Sequence, residues 1–312
     1  MLRSRTIGLL FVALLAGCGP AQPAPAPTPG PVATVRAPVG LAGDGGNLWA
    51  VSSADGTVVR LDPAAGEVLA RVEVGRTPLR AALDGDLLWV SVFGAGRVAA
   101  VDTATGEIRL QTDLGGGPEG IGIAFDAVWV VRQDAHMLTR LDRAGVKQAD
   151  IGVGDQPRLL AFGPDAVWVS DFGAGTVVRV DPVDGHAVTS EPLCDGPQGM
   201  AVDGGVLWVA CTTSGEVLAV DTTTLAVRGR VAVDGEPDAL LVHEGRIWVA
   251  ATEGPTLVEI SPEPDAPAVL GRTPLGDDAA LRDRANVDIA AAGGRVWVSA
   301  FRGNRVEAAP LP

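Results

Sequence analysis

Apolar residues in this chain fall in short runs, and Gly, Pro and Asp cluster between the runs. The stretch from Leu87 to Pro118 sets the pattern. One apolar run passes through Trp89 and ends at Gly94 and Gly96. A second starts at Arg97 and ends in Asp-Thr-Ala-Thr-Gly. A third starts at Glu107 and ends in Gly-Gly-Gly-Pro. Short runs cut by such turn residues predict a meander of β-strands. Leu88, Trp89 and Val90 are apolar at consecutive positions. Strands read that way when both faces of their sheet are covered.

The pattern recurs along most of the chain. Tryptophans stand at 49, 89, 129, 168, 208, 248 and 297, with spacings of 40, 40, 39, 40, 40 and 49. Eleven residues before them come Pro38, Pro78, Pro118, Pro157, Pro197 and Pro237, and only the last unit differs, with Asn286. Thirteen residues after them come Asp62, Asp102, Asp142, Asp181 and Asp221, then Ser261 and Pro310. A period near forty with four strand-like runs per unit signals a β-propeller. The expected fold is all-β, with seven blades of four antiparallel strands, A to D. In the second unit these are residues 79–83, 87–92, 97–101 and 107–112. The Asp-x-x-x-Gly segments between C and D read as turns, because Asp bonds its own backbone there and Gly accepts positive φ. They are not a metal site.

The seventh unit ends after its third strand. A spare strand, residues 32–36, precedes Pro38 just as residues 72–76 precede Pro78. This N-terminal strand is expected to complete the last blade and close the ring, which removes exposed sheet edges. The propeller then spans residues 32–312. Residues 1–17 form a basic start and an apolar core too short for a stable bilayer span. Leu15-Ala16-Gly17-Cys18 resembles the lipobox of bacterial lipoproteins. That resemblance implies an exported protein anchored to the cell envelope through a lipidated Cys18. An ordinary signal peptide that happens to contain a cysteine, or a buried Cys18, is the other reading. Residues 18–31 are rich in Pro and Ala and read as an extended tether.

The repeat itself resembles the YVTN-type β-propeller family. The strand B motif appears as Trp89-Val90-Ser91, Trp168-Val169-Ser170 and Trp297-Val298-Ser299. The strand A motif appears as Pro118-Glu119-Gly120-Ile121-Gly122 and Pro197-Gln198-Gly199-Met200-Ala201. Trp stands where that family has Tyr, and the chain has no Tyr. The resemblance covers residues 32–312 and implies the fold rather than a function. The streptogramin B (virginiamycin B) lyases are similar in repeat length. Such a resemblance would require histidine and glutamate around magnesium. The chain has only His136, His186 and His243, which fall in B–C, C–D and A–B connections of different units. No phosphate loop and no quinone-cofactor motif is present, so no cofactor is expected.

The formal net charge is −14, and losing Arg3 and Arg5 with residues 1–17 makes it about −16. Nucleic acid is an unsuitable partner, since it needs dense positive charge. A monomeric propeller is expected. Cys194 and Cys211 fall on one face of the ring in neighbouring units. Export favours a disulfide, while two buried thiols would serve as small apolar groups.

Units share their framework, so function should lie where they differ. Ten positions before each Trp come Val39, Leu79, Glu119, Arg158, Gln198, Asp238 and Val287, with Arg80 and Asp288 one position further. These begin the innermost strands and should ring the channel mouth, on the face that carries the D–A and B–C connections. Phe93, Phe172 and Phe301 share one B–C position, beside Arg132, Asp134, Asp171 and Arg302. An insertion around 276–285, with Arg282 and Arg284, belongs to the same face. A concave mouth with aromatic rings and charges of both signs is the default binding site. The alternative for these charges is that they pair with each other and only fill the channel. The reading is a ligand- or protein-binding or scaffolding propeller whose partner is an unidentified small molecule or envelope protein. The alternative is a metal-dependent hydrolase or lyase of the lactonase-like or streptogramin B lyase-like type, with carboxylates converging on the channel.

Overall fold

The computed structural model describes residues 30–252, 256–275 and 287–309. The lipobox with Cys18, the insertion around 276–285 and its arginines lie outside the described residues. The chain forms seven four-stranded antiparallel sheets, arranged as a seven-bladed propeller. In blade 2, strand A is Pro78–Asp84, B is Leu87–Val92, C is Arg97–Asp102 and D is Ile108–Asp113. The seventh blade takes A, B and C from the C-terminal end (Ile289–Ala292, Arg295–Ala300, Arg305–Ala309) and D from Val32–Thr34. Val32 pairs with Glu307 and Thr34 with Arg305, so the ring closes as the sequence predicts.

Apolar strands build the ring by stacking blade on blade. Each of the seven tryptophans lies in a separate core between its own blade and the next, Trp297 closing the circle against blade 1. All seven are at most 4% exposed. Truncating one to Ala removes about 3–5 kcal/mol. The fixed forty-residue spacing is therefore the spacing of these inter-blade plugs. The strands D are the solvated rim, and blade 2 alternates exposed and half-buried residues there.

The Asp turns are local structure. Asp62 Oδ1 accepts from the amides of Ala64 and Ala65, and Asp102, Asp142, Asp181 and Asp221 repeat the arrangement. Strand A begins irregularly in six blades, where the register slips just after the proline. Such a bulge re-aims side chains, and the second residue after Pro, Arg80 in blade 2 and Gly120, Leu159, Gly199 and Ala239 in blades 3 to 6, lines the channel. In the Pro-x-Gly units the glycine lets the next inner strand approach. A Cβ at Gly120 would lie 2.7 Å from the Arg158 carbonyl, and one at Gly199 would lie 2.4 Å from that of Asp238.

Candidate functional site

The serine of the Trp-Val-Ser motif ties down the start of strand A in blades 2, 4 and 7. Ser91, Ser170 and Ser299 are fully buried. Their hydroxyls accept from the amides of Arg80 (3.1 Å), Leu159 (3.1 Å) and Asp288 (2.7 Å). Ser91 then donates to the Glu119 carbonyl and Ser299 to that of Val39, each in the following blade. One hydroxyl thus holds both its own bulge and the next inner strand.

On this scaffold most of the expected site residues meet around the channel. At the closure seam, Arg80 is 5% exposed. Its Nη1 lies 3.1 Å from Asp288 and donates to the carbonyls of Val39 and Val287. Asp288 also accepts from Leu41 at 2.9 Å. Burial opposes the charge of Arg80, but Asp288, Asp238 and Glu119 outweigh it, and its pKa is raised. Further round, Gln198 donates to Asp238, which also accepts from the Val287 amide at 2.7 Å. Burial pushes Asp238 up to about 6, with Arg80 opposing the shift.

The third group joins blades 3 and 4. Arg158 Nε lies 3.5 Å from Glu119 Oε1, too far and too poorly aligned for a hydrogen bond. The guanidinium stacks over Phe172, 5.2 Å from the ring centre. Glu119 is 2% exposed, and its second oxygen is buried without a partner. Burial raises its pKa against the pull of Arg158 and Arg80, and the charge of Asp134 adds to the rise.

Two aromatics occupy the seams between blades. Phe93 covers Gly117 and Phe172 covers Gly196, where an added Cβ would come within 2.8 and 2.9 Å of the rings. Phe301 is half-buried at the matching position of blade 7. Arg132 is not brought to the channel. It turns along its own blade to Asp150 at 3.1 Å and Thr139 at 3.3 Å. Thr139 is a polar residue where equivalent strands C carry Val59, Ala99 or Val178, and that oddity was the available signal. Asp171 caps its own connection, accepting from the amides of Asp155 and Gln156.

Cys194 and Cys211 are bonded at 2.02 Å, linking blades 4 and 5 on the mouth face. Cys194 lies in the D–A connection, since strand D of blade 4 stops early, at Ala187–Thr189. Between these blades opens a hollow of about 620 Å³, lined by Gln156, Phe172, Pro192, Leu193, Asp195 and Thr213 among others. Sequence reasoning did not find it. The central channel itself holds about 140 Å³, lined by Ile121, Leu160, Met200 and Leu240 with Arg80 and Asp288. Ligand pockets usually enclose about 300–1,000 Å³, so the channel suits water or a very small molecule, while the hollow is larger but open to solvent and mainly polar.

The histidines do not converge. His136 is half-exposed with Nδ1 4.0 Å from Asp155, and His243 ends strand A of blade 6 on the opposite face. Among the described residues, no three His, Cys, Asp or Glu side chains are placed to hold a metal ion.

Residues 54–150 match a repeat family described as the outer membrane protein assembly factor BamB. No curated protein matches the chain. Among solved structures, a streptogramin B lyase is similar at 16% identity, with a TM-score of 0.77, over 89% of this chain and 95% of that one. The virginiamycin B lyase of Staphylococcus aureus is similar at 14% identity and a TM-score of 0.77, over 90% and 98%. A chain of a mitotic checkpoint complex reaches 0.79 at 14% identity, over 99% of each. At these identities the likeness is one of fold.

Proposed function

We propose that this protein is a lipid-anchored, extracytoplasmic binding or scaffolding propeller of YVTN-like repeats that receives its ligand or partner on the channel-mouth face. The observation that carries this is the unfinished polar cluster of Glu119, Arg158 and Phe172 beside the 620 Å³ hollow. Loops and strand ends on a rigid ring are where such folds place function. The family described as BamB assembles outer membrane proteins by its description, which supports a place in the envelope and a role in binding rather than chemistry.

The topology supports an orientation as well. Pro31 lies against Gly66, in the C–D turn of blade 1, and Val35 bonds Asn304, in the B–C connection of blade 7. The chain therefore enters the ring from the face opposite the mouth. An anchor at Cys18 leaves the mouth turned away from the membrane. Cys18→Ser should move the protein from the membrane to the soluble fraction. Continued membrane association of that variant would remove the anchor from the reading.

A photo-crosslinking residue at Ala174, exposed beside Phe172, should capture an envelope partner or ligand in cells, and one at Ala104 on the opposite face should not. Adducts from position 104 alone would place the site on the wrong face.

A metal-dependent hydrolase or lyase is the other reading, favoured by the buried carboxylates Glu119 and Asp238. Stoichiometric divalent metal in the purified protein, with a melting point lowered by chelator, would favour it.

A further inference from the structure

We infer that the hollow between blades 4 and 5 receives an extended, lysine- or arginine-rich stretch of another polypeptide. The inference rests on the mouth-face reading and gives the partner a chemistry. The cavity is the starting point. It holds about 620 Å³, is open to solvent and is mainly polar. Among the described residues, its lining contains Asp195 but no lysine or arginine. An open trough of this kind suits a chain that passes through it rather than a molecule it must enclose.

The charge around it is unbalanced. Asp195 is in the wall, Glu191 precedes the lining residue Pro192, and Asp155 precedes the lining residue Gln156. All three are exposed. Among the described residues Asp195 and Glu191 have no ion pair, and Asp155 has only His136, at 4.0 Å. Exposed carboxylates elsewhere are answered by arginines, as in Asp165 with Arg179, Asp234 with Arg272 and Asp265 with Arg228. A fourth carboxylate lies behind the wall. Asp171 is 1% exposed and accepts from the amides of Asp155, Gln156 and Ala174, the last two of which line the hollow. These neutral donors satisfy its oxygens but leave its charge uncancelled, and no cation of the described residues pairs with it. Buried charges are ordinarily paired, so this one independently calls for a cation from outside the chain. Two arginines stand near. Arg158 is stacked over Phe172 beside Glu119, and Arg230 reaches the Leu193 carbonyl at 3.5 Å while pairing with Glu216 at 3.0 Å. Each has a carboxylate of its own, so the four around the hollow remain unanswered.

The lining matches such a chain. Phe172, Pro192 and Leu193 offer an apolar strip for the methylene stems of lysine or arginine, whose charged heads then reach the carboxylates of the rim. The Gln156 amide and the Thr213 hydroxyl supply hydrogen-bonding groups for a peptide backbone. Nucleotides, acidic segments and other anions meet repulsion there.

The test is calorimetric titration of the full mature protein with an acetylated, amidated Lys-Gly-Lys-Gly-Lys peptide. About 0.1 M salt is present, which screens exposed charges farther than about 10 Å from the site. The same peptide with Gln for each Lys, and spermidine, are the comparisons. Wild type should bind the lysine peptide saturably, one to one, and the glutamine peptide at least about tenfold more weakly. Asp155→Asn, Glu191→Gln and Asp195→Asn together should weaken the lysine peptide about tenfold, as for three partly exposed ion pairs. Glu67→Gln, Glu244→Gln and Glu263→Gln, exposed on the opposite face, remove the same charge and should leave binding within about twofold of wild type. Asp195→Asn alone should lose about twofold and serves if the triple rim variant does not fold. No saturable binding of the lysine peptide at millimolar concentration, or equal losses in the two triple variants, overturns the proposal. Spermidine binding as tightly as the peptide also overturns it, because the hollow would then hold a free amine and not a chain. If crosslinking at Ala174 succeeds in any of these cases, the mouth-face reading stands and only the partner chemistry falls.

Discussion

Arg80 and Arg158 both project from the beginning of an inner strand, yet they meet opposite fates. Arg80, at the closure seam, is 6% exposed, and its Nη1 meets a carboxylate of blade 7 and carbonyls of blades 1 and 7. Arg158, across the ring, is 24% exposed and leans on an aromatic with its outer donors free. The seam must join chain ends that are far apart in sequence, and its polar groups are committed to that task. The arc of blades 3 to 5 is joined by continuous chain and by a disulfide, so its polar groups are free for another use. Neighbouring positions at the start of the inner strand thus divide between closure and reception according to where in the ring they fall.

The largest effect that separates the two regions is loss of the seam. Deleting residues 32–36 removes the strand paired with 305–307 and the buried Ala33 and Val35. The expected product lacks a cooperative thermal transition. A truncated protein that melts at the wild-type temperature would mean that the ring does not depend on this strand. Next comes Asp288→Ala. It leaves the Arg80 charge buried without its carboxylate, which costs about 3–5 kcal/mol. Arg158→Ala, by contrast, should cost less, because the buried Glu119 it leaves behind can take up a proton whereas Arg80 cannot lose one. Equal losses in chemical denaturation would erase the distinction between the arcs.

Third is the disulfide that joins blades 4 and 5. Its closed loop is 17 residues, for which the chain-entropy account gives about 3 kcal/mol. A Cys194→Ser, Cys211→Ser double variant should lose about that much in denaturant titration. Denatured, unreduced wild type should show no reactive thiol at these two positions, and two labelled thiols would contradict the bond.

The sequence made the ring legible because burial is periodic. Trp every forty residues, Pro at the start of strand A and Asp at the C–D turn each follow from a need that recurs in every blade. The seam was legible for the same reason, since one strand was missing at one end and spare at the other. The polar ring was legible as positions but not as partners. Arg132 goes to Asp150, eighteen residues away on the same blade, because the register of B, C and D places them along one face. The staple of Ser91 to the Glu119 carbonyl crosses between blades, and no period in the chain marks it. The hollow beside Leu193 arises because strand D of blade 4 is cut short at Thr189. A local departure from the repeat of that kind shows itself only in three dimensions.

A fourth prediction reads the seam by pH. The carboxyl of Asp238, ordinarily near 3.8, is raised by burial to about 6 in the fold. Between these values the folded protein holds a proton that the unfolded chain has lost. Stability contributed by this group therefore falls as pH rises from about 4 to about 6 and is constant above. The whole change is about 3 kcal/mol. Asp238→Asn should abolish that slope, so the variant gains on wild type across this interval. Gln198 can turn its carbonyl toward the new amide, which keeps the link to blade 5. Parallel stability curves from pH 4 to 7 would show that Asp238 titrates normally.

The smallest effect on stability is expected at Phe172, and it bears most directly on reception. Phe172→Leu keeps an apolar group over Gly196 but removes the ring under Arg158. An exposed cation–π contact is worth about 0.5–1 kcal/mol, so the melting curve should shift only slightly. Phe93→Leu is the matched control, because Phe93 covers Gly117 in the same way and, among the described residues, no arginine stacks over its ring. Both variants should lose similar stability. Only Phe172→Leu should reduce capture by the crosslinker at Ala174, because the guanidinium is then free to leave the orientation that the ring holds. If Phe93→Leu reduces that capture equally, the aromatics act by filling seams around the whole mouth, and the distinction between the two arcs loses its chemical basis at this position.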